Sequence, residues 1–151
     1  MTNQKKILCS ACLLGVQCRY DGQSKPNEKV LELAKKEILI PVCPEQLGGL
    51  PTPRVHSETT GGGQAVLEGR GKVITKQGGD VTENFIKGAE DVLKLAKILD
   101  IKEAILKQRS PSCGSGQIQD GTFSETIIEG DGVTTALLKQ NGVKVISEED
   151  L

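Results

Sequence analysis

The chain has no tryptophan, one tyrosine (Tyr20), two phenylalanines (Phe85 and Phe123) and one histidine (His56). With so few rings the core must be aliphatic, and a row of stacking platforms for single-stranded nucleic acid is excluded. There is no basic block: 19 Lys and Arg stand against 20 Asp and Glu. An extended nucleic-acid surface is therefore disfavoured, although a single base or nucleotide needs little charge. No stretch is long and apolar enough to span a bilayer. A secretory leader is not expected either. Lys5-Lys6 before the apolar residues 7–16 imitates one, and Ser10-Ala11-Cys12 faintly resembles a lipoprotein cleavage site. That run is short and interrupted, and cleavage would remove the first strand, so a mature cytoplasmic N-terminus is expected.

Glycine is plentiful, at 18 residues, and there are five cysteines. Cysteines without a leader point to a reducing compartment and to chemistry rather than to covalent staples. At 151 residues the chain reads as one domain, residues 1–151, with room for a real core.

The pattern predicts alternating strands and helices. Strands are expected at 6–10, 38–42, 103–107 and 143–146. A helix is expected from Pro26, with Val30, Leu31, Leu33 and Ala34 on its apolar face. A second helix is expected after an Asp80 cap with Glu83 as its capping-box partner. Its stripe is Phe85, Ile86, Ala89, Val92, Leu93, Ala96 and Leu99, and Gly88 in its middle implies a close packing contact. A third runs from an Asp131 cap to Asn141, with Gly142 as its stop. Two hairpins are expected. One pairs 64–67 with 72–75, and the other spans 117–129 around Asp120-Gly121. Residues 43–63 read as a long loop, and loops of that length are usually functional. The fold class is α/β: a single domain with a mostly parallel sheet, flanking helices and two short hairpins.

Three cysteines each follow a strand pattern. Cys12 comes after Ile7-Leu8-Cys9, Cys43 after Ile38 to Val42, and Cys113 after Ala104 to Lys107. Ligands of open α/β sheets bind beyond the carboxyl ends of the strands. Three thiolates meeting there would make a metal site with one position open. The ligands are singletons from distant strands, which disfavours a zinc ribbon; three unrelated core cysteines remain the alternative. Cys9 alternates within a strand and reads as a buried small hydrophobe. Cys18 is close enough to Cys12 to be a fourth ligand or a resolving thiol.

Several motifs occur in order: Ser10-Ala11-Cys12-Leu13-Leu14-Gly15, Cys18-Arg19-Tyr20-Asp21-Gly22, Cys43-Pro44-Glu45, Leu47 to Arg54, Asp80-Val81-Thr82, Ser110 to Gly114 and Asp120 to Phe123. Together they resemble a bacterial family long of unknown function and now linked to thiouracil desulfidases of the TudS type. The resemblance covers nearly the whole chain. It implies a [4Fe-4S] cluster, which air can remove, held by Cys12, Cys43 and Cys113 with one iron free. That iron would bind the sulfur of a thiolated pyrimidine such as 4-thiouracil, and water would replace the sulfur without net redox change. Glu45 is then the candidate for proton transfer, and Ser110 or Ser112 for a hydrogen bond to substrate. Ser110 and Ser112 suit turn chemistry beside Pro111 equally well. Arg54 suits an anion, a substrate carbonyl or a loop pin. Tyr20 and Asp21 are further substrate-binding candidates, and His56 receives no role. Two departures affect the pocket wall: Gly78-Gly79 precedes Asp80, and Gln119 stands where a tyrosine is usual.

The expected partner is a small thiolated base or nucleoside, with no membrane and with a homo-oligomer left open. Two other functions compete. One is a non-enzymatic iron–sulfur or zinc module sensing metal or sulfide. The weaker is a nucleotide-binding domain, because Gly61-Gly62-Gly63 lacks the following Lys-Ser/Thr of a phosphate loop.

Overall fold

A computed structural model describes residues 3–151. The first strand, β1 (Lys6–Ser10), runs into a 3-10 turn at Ala11–Leu14. There follow α1 (Glu28–Ala34), β2 (Ile38–Val42), α2 (Pro44–Leu47), β3 (Ser57–Thr60), α3 (Gly62–Leu67), β4 (Lys72–Thr75) and α4 (Thr82–Ile98). The chain then forms β5 (Glu103–Leu106), β6 (Ser115–Gln119), β7 (Ile127–Asp131), α5 (Val133–Gln140) and β8 (Lys144–Ser147), and closes with a 3-10 turn at Glu148–Asp150.

Four short apolar strands make the central sheet, in the order β2-β1-β5-β8, all parallel. Side chains alternate across a strand. Leu8, Ala104, Leu106 and Val145 therefore pack on one face with Val92 and Ala96 of α4 and Leu138 of α5. Ile7, Cys9 and Ile105 pack on the other face with Leu13 and with Val30 of α1. Both faces are covered, as parallel sheets require. Cys9 is wholly buried, in keeping with its reading as a small hydrophobe. No helix among the described residues is long and apolar enough to cross a membrane.

The two hairpins are β3-β4 and β6-β7. The second is where the sequence places it. The first uses a different strand: residues 64–67 form the end of α3, and the partner of β4 is Ser57–Thr60. Ala65-Val66-Leu67 is too short an apolar run to separate strand from helix by period. Its side chains Ala65 and Val66 are buried, and α3 packs against α5. The expected loop 43–63 is correspondingly interrupted by α2 and β3. Cap details also differ. Asn27, not Pro26, precedes α1, and its side chain accepts from Val30 N at 3.1 Å. Asp80 accepts from Thr82 N at 2.9 Å, one residue outside the capping position, which Val81 occupies. Asp131 ends β7, and Gly132 caps α5.

Gly88 performs the close packing expected of it. A Cβ there would lie 2.0 Å from the Pro44 carbonyl oxygen. Gly48 meets the Asn84 carbonyl in the same way, also at 2.0 Å. Backbone thus touches backbone where α2 crosses α4. Gly88→Ala should therefore destabilise the fold by about 1–3 kcal/mol, despite alanine's better helix propensity. Urea denaturation measures this, and a stabilised variant would contradict the packing argument.

Candidate active site

The carboxyl ends of β1, β2 and β5 open on a cavity of about 240 Å³. Each delivers a cysteine to it, by a different local device. After β1 the chain tightens into its 3-10 turn, which holds Cys12 and ends at Gly15 with φ of 100°. After β2, Cys43 occupies the residue before α2, whose start is set by Pro44. After β5, the Ser110 Oγ accepts from the backbone N–H groups of Ser112 (3.2 Å) and Cys113 (3.1 Å), closing the turn that places Cys113. Cys12, Cys18, Cys43 and Cys113 all line the cavity, and no disulfide links them.

The thiols of Cys18, Cys43 and Cys113 are held neutral. Burial, followed by the Glu45 carboxylate, pushes Cys113 up to about 12. Cys18 is raised to about 11, first by its hydrogen bond with Cys12. Cys43 is raised further, by its hydrogen bond with Cys18, by burial and by Glu45. Such thiols lose their protons only to a strong local positive charge, and soft thiolates are donors for iron or zinc. Among the described residues, no three His, Cys, Asp or Glu side chains gather closely enough to hold a single metal ion. A donor set of thiols from separate strand ends on one cavity fits an iron–sulfur cluster, which accepts thiolates wherever the fold supplies them.

Glu45 lies on α2 and lines the same cavity. One carboxylate oxygen accepts a hydrogen bond from Ser112 Oγ, and the other lies 3.1 Å from Arg54 Nη2. Arg54 also donates to the carbonyls of Cys18 (2.9 Å) and Pro51 (3.2 Å) and to Thr52 Oγ1 (3.0 Å). Its side chain is 6% exposed. These contacts pin the loop, and Arg54 also lines the cavity. Ser112 is wholly buried and does not line the cavity; it steadies Glu45 and touches Cys113 Sγ at 3.4 Å. Ser110 does line the cavity. Tyr20 lines it too, while Asp21 faces away, paired with Arg19 at 3.6 Å and accepting from Gln23 N at 3.0 Å. Neither Asp21 nor Ser112, both expected to contact substrate, borders this cavity.

Sequence reasoning passed over His56, Phe85, Lys107 and Gln108, which also border it. Lys107 and Gln108 continue β5, and position alone could have nominated them. Lys107 pairs with Glu148 at 3.3 Å, and Glu148 accepts from Gln108 N at 2.7 Å. The loop bearing Cys113 is thereby tied to the C-terminal turn.

The model of the 2-thiouracil desulfurase family matches residues 7–150. The chain belongs to the 2-thiouracil desulfurase family. It is 49% identical over 146 residues to the uncharacterized protein YbbK of Bacillus subtilis (strain 168), covering 96% of this chain and 97% of that one. Among solved structures it resembles the [4Fe-4S]-dependent thiouracil desulfidase TudS. The TM-score is 0.87 and the identity 44%, over 98% of this chain and 93% of TudS. Desulfurase membership and the shared fold agree with the resemblance read from the motifs, and they place the chain in a family of enzymes.

Proposed function

We propose that this member of the 2-thiouracil desulfurase family removes sulfur from thiolated pyrimidines such as 4-thiouracil. The products are uracil and sulfide. The observation that carries the reading is the convergence of three strand-end cysteines and Glu45 on one cavity, in a fold shared with a [4Fe-4S]-dependent thiouracil desulfidase. Cys12, Cys43 and Cys113 would hold the [4Fe-4S] cluster as thiolates. When bound, such a cluster supplies a Lewis-acidic iron that draws electron density from a thiocarbonyl sulfur.

The remaining work falls to the chain's own groups. A thiocarbonyl plus water becomes a carbonyl plus hydrogen sulfide, so two protons move and no electrons are exchanged. Glu45 is the acid–base group: it receives a proton as water adds to the ring carbon and returns one as sulfur departs. Ser112 and Arg54 fix the carboxylate so that its orientation is set before substrate arrives. Ser110 offers a hydroxyl and Tyr20 a ring face to the substrate. The largely apolar lining near Val42, Pro44 and Phe85 limits bulk water. A small base or nucleoside is the substrate class, and five free cysteines suit a reducing cytoplasm.

The test is anaerobic. Protein purified without air should contain iron and acid-labile sulfide and no stoichiometric zinc. It should release sulfide from 4-thiouracil in step with uracil appearance. Bound iron with no sulfide release would replace this reading with a non-enzymatic iron–sulfur module; bound zinc would remove the cluster from it.

A further inference from the structure

We infer that His56, oriented by the buried Glu58, positions the substrate ring, accepting a hydrogen bond from a ring N–H while its face stacks beside the heterocycle. This rests on the desulfidase reading and specifies how that site selects its substrate. His56 is then a positioning and specificity residue for planar heterocycles that carry an N–H next to a carbonyl or thiocarbonyl.

The first observation is where the rings are. The chain's only tyrosine, its only histidine and both phenylalanines gather in one region. Tyr20, His56 and Phe85 line the cavity. The rings of Tyr20 and His56 have centroids 4.8 Å apart and are tilted by 46°, and Phe123 meets His56 edge-on at 5.8 Å. The sheet core is filled with aliphatic side chains. Phe85 is buried in the core with Val66, Val73 and Ala89, which leaves Tyr20 and His56 as the rings with surface open to the cavity. His56 and Tyr20 remain 32% and 39% exposed, so ring surface is free to stack. Every pyrimidine offers a π face to such surface.

The second observation is Glu58, on β3. It is 3% exposed, and its Oε1 accepts from the backbone N–H groups of Gly121 (2.9 Å) and Phe123 (3.1 Å). Those two donors fix the carboxylate, and its Oε2 lies 3.6 Å from His56 Nε2. A carboxylate behind an imidazole sets which nitrogen carries the proton. Here Nε2 faces Glu58, and Nδ1 has no protein hydrogen-bond partner among the described residues. Gln119 lines the same cavity, and its Oε1 is buried without a hydrogen-bond partner among the described residues. An open Nδ1 suits a ring rich in N–H donors, as uracil and thiouracil are.

The experiment measures ring binding apart from sulfur chemistry. Uracil has no sulfur, so its affinity for the cluster-loaded protein, by titration calorimetry, reports ring binding without the sulfur contact. His56→Ala should weaken uracil binding on the order of tenfold or more. It should also raise KM for 4-thiouracil by more than it lowers kcat, at wild-type iron content. His56→Phe keeps the stack and loses the nitrogen, so it should fall between. Glu58→Gln should move uracil affinity in the same direction as His56→Phe. 4-Thiouracil methylated at ring nitrogen should lose the advantage of wild type over His56→Phe. Unchanged uracil affinity and KM in His56→Ala would overturn the inference while sulfide release by wild type keeps the desulfidase reading. Conversely, wild type that binds uracil through His56 but releases no sulfide would keep the ring wall and remove the desulfidase. If His56→Ala fails to fold, the Phe and Gln variants and the methylated substrate decide the same question.

Discussion

Replacing Cys12, Cys43 or Cys113 by serine, one at a time, is expected to abolish cluster binding and sulfide release together. A hydroxyl is a hard donor with a far higher pKa than a thiol, and it does not substitute for thiolate at iron. The three come from three different strand ends and line one cavity. Cys9→Ala is the control. Cys9 is wholly buried on the sheet face packed against α1 and does not line the cavity. Its thiol, raised to about 12 first by burial, stays neutral and serves as packing. That variant should lose some stability and keep iron content and turnover. Iron and sulfide per chain, measured anaerobically beside activity, decide the matter. A serine variant at any of the three positions with a full cluster would remove that residue from the proposed ligand set.

Glu45→Gln should lower turnover per cluster by about two or more orders of magnitude, the usual worth of a positioned acid–base group. The surroundings add a second consequence. Arg54 is 6% exposed, and Glu45 is the carboxylate beside it. Leaving a buried guanidinium without its counter-charge costs about 3–5 kcal/mol. Part of that is offset here, because Arg54 keeps its bonds to Pro51, Thr52 and Cys18. Glu45→Gln should therefore lose stability as well as rate. Glu45→Asp separates the two effects. It retains the charge for Arg54 but withdraws the carboxylate from the cavity, so stability should recover more than turnover does. Thermal midpoints and sulfide release per cluster on both variants form the test. Turnover in Glu45→Gln equal to wild type would leave proton transfer to Ser110 or water.

The sheet was legible because its strands are short apolar runs punctuated by loops, and because both faces of a parallel sheet are buried. Gly88 could be read as a packing contact because nothing else justifies a glycine inside so regular a stripe. Ser57–Thr60 could not be read as a strand. Its sequence, Ser-Glu-Thr-Thr, is polar, yet Ser57, Glu58 and Thr59 are buried, with Glu58 satisfied by two backbone donors more than sixty residues away. No local pattern encodes a partner at that distance. The same limit hid the grip on Glu45. Ser112 and Arg54 each look like ordinary loop residues, and only the fold brings both to one carboxylate. Strand ends located the cysteines, because sheet topology is a rule about strand ends; the rest of the wall is built by long-range contacts.

The tie between Glu148 and the loop after β5 has a consequence for how the molecule can vary. Lys107 and Gln108 border the cavity from one side and are secured on the other by a carboxylate in the final 3-10 turn. Arg109 is likewise clasped by Glu149. The stretch 148–150 is thus a keystone rather than a trailing end, bearing on the arch that presents Cys113. Drift there is constrained by chemistry at the far end of a neighbouring strand, although no residue of that turn touches the cavity itself.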